Sequence, residues 1–143
     1  MPYRYLEDIA IADVAFEARA KTREGMFIAA GEALMNVMVA NLDAIEGAEH
    51  RTFSIKAEDL ERLLFEYLQD LIYLKDAEQL LLRISQVSIT EESGYLHLSA
   101  EANGEKINPT RHELNTDVKA VTLHRFEIKE DSEGWHATVV LDI

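Results

Sequence analysis

Trp135-His136-Ala137-Thr138-Val139-Val140-Leu141-Asp142-Ile143 closes the chain and reads as a β-strand. Its residues are mostly β-branched or apolar, no glycine or proline follows Gly134, and the side chains alternate in direction. Trp135, Ala137, Val139, Leu141 and Ile143 fall on one face; His136, Thr138, Val140 and Asp142 fall on the other. Chain ends are usually polar and frayed. This one stops inside an apolar strand, so the terminal carboxylate of Ile143 is expected to be held in place, with the Asp142 carboxylate beside it. Two fixed anions a few ångströms apart repel by roughly 1 kcal/mol in water, and several-fold more where water is scarce. A cation removes that cost, and oxygen-only ligands suit Ca2+ or Mg2+. The alternative is a solvated chain end with an ordinary surface aspartate.

Working back from this strand, Val118 to Lys129 pairs with it as a closing antiparallel hairpin across Glu130-Asp131-Ser132-Glu133-Gly134. Glu105 to Asn115 reads as a long polar loop, and Asn103-Gly104 as a turn. Tyr95 to Ala102 alternates as a strand, preceded by a turn at Glu91-Glu92-Ser93-Gly94. In Leu80 to Thr90 the apolar phase changes between Ile84 and Val87, which predicts a bulge around Ser85-Gln86.

Two segments carry helical periodicity. Leu60, Leu63, Leu64, Tyr67, Leu68, Leu71 and Ile72 form a stripe in a helix beginning at Ala57, with Glu58, Asp59 and Glu61 in its first turn and Lys75 near its end. The stripe suits packing on a sheet better than binding a partner. Thr22 is a good cap for a second helix over Arg23 to Val39. His50 to Lys56, Val14 to Ala20 and the short Tyr3 to Leu6 read as strands. With no regular βαβ alternation, the pattern predicts an α+β fold: a mainly antiparallel sheet system with two helices packed on it, in a single domain over residues 1–143.

Composition narrows the function. Hydrophobic content of 48% and charged content of 29% describe a globular protein. The chain has no cysteine, which excludes disulfides, thiolate metal sites and a cysteine nucleophile. No apolar run is long enough to span a membrane, and Met1-Pro2-Tyr3-Arg4-Tyr5 lacks the layout of a signal peptide, so a cytoplasmic location is expected. The 14 basic and 27 acidic residues leave a formal charge of −13. Such a surface argues against nucleic-acid binding on its own and favours a basic partner or bound cations.

Candidate chemistry is sparse. Asp13 stands between Ile9-Ala10-Ile11-Ala12 and Val14-Ala15-Phe16, where a carboxylate is exposed at a strand edge, engaged in a local turn, or paired. His112 and His124 flank Lys119 in the one region that is not strongly acidic, together with Lys106 and Arg111, but two histidines do not make a zinc site. There is no phosphate-binding glycine loop and no serine elbow, so nothing in the spacing supports an enzyme.

Four segments together resemble the archease family over essentially the full chain. They are Ala12-Asp13-Val14 with Ala18 to Thr22; Leu63-Leu64-Phe65-Glu66-Tyr67-Leu68 with Leu71-Ile72-Tyr73-Leu74; Gly104-Glu105-Lys106 through His112-Glu113-Leu114 to Val118-Lys119-Ala120-Val121-Thr122-Leu123-His124; and Val139-Val140-Leu141-Asp142-Ile143. Where the family has His-Thr before Ala-Asp-Val, this chain has Ala10-Ile11, with Asp13 intact. The resemblance implies a cytoplasmic accessory protein, not itself an enzyme, that promotes guanylylation and repeated turnover of the GTP-dependent tRNA-splicing ligase. It implies a divalent cation, calcium in archaeal members, held by Asp13, Asp142 and the terminal carboxylate of Ile143. His112, Glu113, Lys119 and His124 are the candidates for partner or phosphate contact. Two other readings stay open: a chaperone-like modulator of another tRNA-modifying enzyme such as a methyltransferase, and a small metal-dependent hydrolase using the same carboxylates.

Overall fold

The computed structural model describes residues 2–7 and 13–143. The apolar run Ile9-Ala10-Ile11-Ala12, and with it the Ala10-Ile11 departure, lies outside the described residues. In chain order the elements are β1 (Tyr3–Tyr5), β2 (Val14–Ala20), α1 (Arg23–Met38), a short 3-10 turn (Leu42–Ala44), β3 (Glu49–Ala57), α2 (Leu60–Glu78), β4 (Leu80–Glu92), β5 (Tyr95–Lys106), β6 (Ala120–Asp131) and β7 (Gly134–Asp142). They form two antiparallel sheets, ordered β1-β2-β7-β6 and β3-β5-β4. This is the α+β class expected from the pattern.

β7 lies between β2 and β6, with Val14 opposite Leu141 and Ala20 opposite Trp135. Its alternation is realised: Ala137, Val139 and Leu141 are buried with Phe16 and Ala18 of β2. Val140 and Ala15, on the opposite face, are buried as well, so that face is also covered over part of its length.

Thr22 caps α1, its hydroxyl accepting the Gly25 N–H at 3.0 Å. The helix packs against β2 of one sheet and β4 of the other. Small residues such as Ala29, Ala30, Gly31 and Ala33 are therefore buried alongside Phe27 and Leu34. α2 starts at Leu60 rather than Ala57. Ala57 completes the inward alternation of Phe53 and Ile55, so the strand claims it, and Asp59 becomes the cap, accepting the Arg62 N–H at 2.8 Å.

The bulge in β4 falls between Ile84 and Gln86, as the phase change predicted. Ser93 and Gly94 make the β4–β5 turn, both with positive φ. Asn103-Gly104 is not a turn; both residues lie inside β5, Gly104 opposite Leu82. A Cβ on Gly104 would stand 1.8 Å from the Leu81 carbonyl oxygen, so this glycine permits a close backbone approach. β6 is not continuous either: its pairing with β7 shifts between Thr122 and Glu127, where Arg125 has φ +55°.

The segment between β5 and β6 ties the far ends of both helices to the end of β7. The Asn115 N–H donates to the Met38 carbonyl at the end of α1, at 2.9 Å. Lys75, in the last turn of α2, donates to the Val118 carbonyl at 3.0 Å. The Lys119 N–H then donates to the Asp142 carbonyl at 2.9 Å.

The two glycines give a direct contrast. Gly104→Ala is expected to cost about 4 kcal/mol or more, because backbone has to move. Gly94→Ala, at φ +81° with nothing within 4 Å, is expected to cost about 1 kcal/mol. Urea unfolding of both variants checks the difference.

Candidate functional site

The last pair between β2 and β7 is Val14 with Leu141. Asp13 immediately precedes Val14 and Asp142 immediately follows Leu141, so the register brings both aspartates to the same end of the sheet. Side chains two apart on a strand share a face, so Asp142, in β7, lies on the face that holds Val140. Both aspartates are exposed. On its other side Asp142 pairs with Ala120, and the Lys119 N–H donates to the Asp142 carbonyl at 2.9 Å. The Ile143 side chain packs against the core, which restrains the last residue.

This end of the sheet is therefore acidic by design of the register, with one ammonium at its margin. Both helices add to it. Their C-termini come to the same end, and each helix carries the equivalent of roughly half a negative charge there. Among the described residues no three His, Cys, Asp or Glu side chains cluster as metal ligands. Carboxylate oxygens such as those of Asp13 and Asp142 have the hard chemistry that suits Ca2+ or Mg2+.

The 107–119 segment that delivers Lys119 is fastened by a buried polar knot. His112 is 2% exposed. The Asn108 N–H donates to its Nδ1 at 2.9 Å, so the ring carries its proton on Nε2, which donates to Glu105 at 2.5 Å. Arg111 donates to the same carboxylate and to the Ala44 carbonyl. The Arg111 hydrogen bond, outweighing the opposing effect of burial and helped by the Glu46 backbone and His112, holds the Glu105 carboxyl down at about 2. Further along, buried Lys75 contacts Asp117 and Asp76, each at 2.5 Å. Burial alone would lower its pKa; the two carboxylates outweigh that and raise it.

His112 is thus corrected from a surface contact to an interior ring that shapes the loop. Glu113, Lys119 and His124 are exposed. The Glu113 carbonyl accepts the Ala40 N–H at 2.9 Å, which pins this segment to the end of α1. His124 lies in the irregular stretch of β6. Sequence reasoning missed Glu105, Arg111, Lys75 and Asp117 as a fastening system. Their signal was weak: charged residues in what reads as a polar loop and a helix end look like solvated surface.

The Archease protein family model matches residues 3–143. The chain belongs to the archease family. It is 38% identical over 142 residues to the archease of Methanosarcina barkeri, covering 99% of this chain and 95% of that one. It is 38% identical over 134 residues to the archease of Pyrococcus abyssi, covering 92% of this chain and 93% of that one. The solution structure of a Methanobacterium thermoautotrophicum protein aligns with a TM-score of 0.86 at 34% identity, over 99% of both chains. The crystal structure of a Thermotoga maritima archease, described as a possible chaperone, shares the fold with a TM-score of 0.62 at 21% identity, over 94% of this chain and 93% of that one.

The polar knot makes archease stability depend on acid pH in a defined window. The Glu105 pKa is depressed on folding, so its contribution is complete above its unfolded value of about 4.3 and is lost as pH falls towards about 2. Glu105→Gln is expected to lower stability at neutral pH and to flatten the stability–pH curve across that window. His112→Ala, which removes a buried ring and one of the hydrogen bonds to the Glu105 carboxylate, is expected to cost about 3 kcal/mol. Thermal melts from pH 2 to 7 check both.

Proposed function

We propose that this archease is a cytoplasmic accessory protein, not itself an enzyme, that activates the GTP-dependent tRNA-splicing ligase. In this reading it promotes ligase guanylylation and multiple turnover, and carries a divalent-cation site made by Asp13, Asp142 and the terminal carboxylate of Ile143. The observation that supports it is the register of β7 against β2, which pairs Val14 with Leu141, the neighbours of Asp13 and Asp142. The accessory role agrees with the description of the Thermotoga relative as a possible chaperone. Among the described residues no helix is long and apolar enough to cross a membrane.

The work of the chain's own residues follows from charge. Asp13, Asp142 and the terminal carboxylate present a fixed anionic point at one end of the molecule. The net charge of −13 steers that end towards a basic surface, such as the RNA-binding groove of a ligase. When bound, a divalent cation there supplies concentrated positive charge to an incoming phosphate or carboxylate. Lys119, whose N–H donates to the Asp142 carbonyl, adds a mobile ammonium for phosphate contact. Glu113 and His124 flank the same docking end.

The test is a ligase guanylylation assay with limiting accessory protein. Asp142→Ala is expected to lower activation about tenfold or more while leaving the fold intact. Activation equal to that of the unsubstituted protein contradicts the proposal.

A further inference from the structure

The large hydrophobic side chains left exposed among the described residues are Tyr5 at 39%, Tyr73 at 65%, Tyr95 at 37%, Leu114 at 45% and Leu123 at 67%. Scattered exposed hydrophobics are ordinary, but these are not scattered. Tyr95 stands alone beside the β4–β5 turn, and its ring is already covered by the Lys56 ammonium at 4.3 Å. The other four surround the acidic end.

Tyr5 and Leu114 line one cleft of about 600 Å3 together with Val14, the residue next to Asp13, and with Asn36 and Thr116. Leu123 lies three residues beyond Ala120, the partner of Asp142. Tyr73 is one helical turn beyond Gln69, whose side-chain Oε1 accepts the Val121 N–H at 2.8 Å, so Tyr73 lies on the face of α2 that meets the start of β6. Tyr5 and Leu114 thus sit on the β1–β2 side of this end, and Tyr73 and Leu123 on the β6 side, next to Lys119.

We propose that Tyr5, Tyr73, Leu114 and Leu123 form a rim by which the acidic end grips a separate protein whose facing surface is recessed and basic. This rests on the reading that the partner is the tRNA-splicing ligase, and names the surface through which it is held. The centre supplies orientation through charge and the rim supplies affinity: apolar side-chain area that a partner withdraws from water contributes more than a typical exposed ion pair. A second copy does not fit the rim. An isologous contact would set Asp117, Glu113 and Asp76 of two chains of charge −13 against each other.

The experiment measures binding of the purified ligase to immobilised full-length protein. Tyr73→Gln with Leu123→Ser removes two anchors from exposed positions without touching the core. The unsubstituted protein is expected to bind, and the double variant to bind at least about 30-fold more weakly with its melting temperature and Ca2+ binding preserved. Tyr95→Ser, at the other end, is expected to bind as the unsubstituted protein does. Equal binding by the double variant, or equal loss in Tyr95→Ser, overturns the rim while leaving the ligase reading standing. Failure of the unsubstituted protein to bind the ligase overturns that reading, and the rim falls with it. A dimer in sedimentation that Leu123→Ser dissociates makes the rim a self-contact and also overturns the proposal.

Discussion

The pairing of β7 with β2 is the constraint from which the rest of the structure follows. It joins the first long strand to the last and places both at the middle of a four-stranded sheet. Phe16, Ala18, Ala137, Val139 and Leu141 are all withdrawn from water along this seam. Each of the larger ones contributes roughly 1.5–3 kcal/mol of burial. A slip of one residue would turn every one of these side chains outward, so the register is strongly specified. Asp13 and Asp142 inherit their positions from that specification.

The remaining elements converge on the same end for their own reasons. β6 is an edge strand, and an edge needs its backbone donors covered. α2 covers them with side chains: Gln69 accepts from the Val121 N–H at 2.8 Å and Glu61 from the Ile128 N–H at 2.9 Å. That contact fixes where α2 ends, and Lys75 in its last turn then reaches the Val118 carbonyl. The segment carrying Lys119 is held from both directions, by Lys75 at one end and by the knot of Glu105, Arg111 and His112 at the other. The polar interior of this protein is concentrated in the part that positions the surface charges.

Local patterns were legible in the sequence wherever neighbouring residues alone decide them. The alternation of Val14 to Ala20 and of the last strand, the Thr22 cap and the Ser85-Gln86 bulge all follow from single-strand or single-turn chemistry. The failures have a common cause in long-range contact. Asn103-Gly104 has the composition of a turn, but the crowding that demands Gly104 comes from the Leu81 backbone of the neighbouring strand. His112 reads as a surface residue in a polar loop, and only the fold reveals the Glu105 carboxylate that takes it inside. In the acidic end, Asp142 and Ile143 declared themselves locally. The pairing of Val14 with Leu141, which brings Asp13 to the same end as Asp142, is a register between strands far apart in the chain, and local sequence pattern does not carry it.

The central claim is that this register brings oxygens from both ends of the chain to one cation. Its most direct test is a calorimetric titration with Ca2+, comparing the chain ending at Ile143 with a chain extended by one glycine and with Asp13→Asn. One ion per chain is expected for the first, and affinity weakened about tenfold or more for each of the others, since each loses one anionic ligand. Calcium binding that is indifferent to both changes would contradict the account.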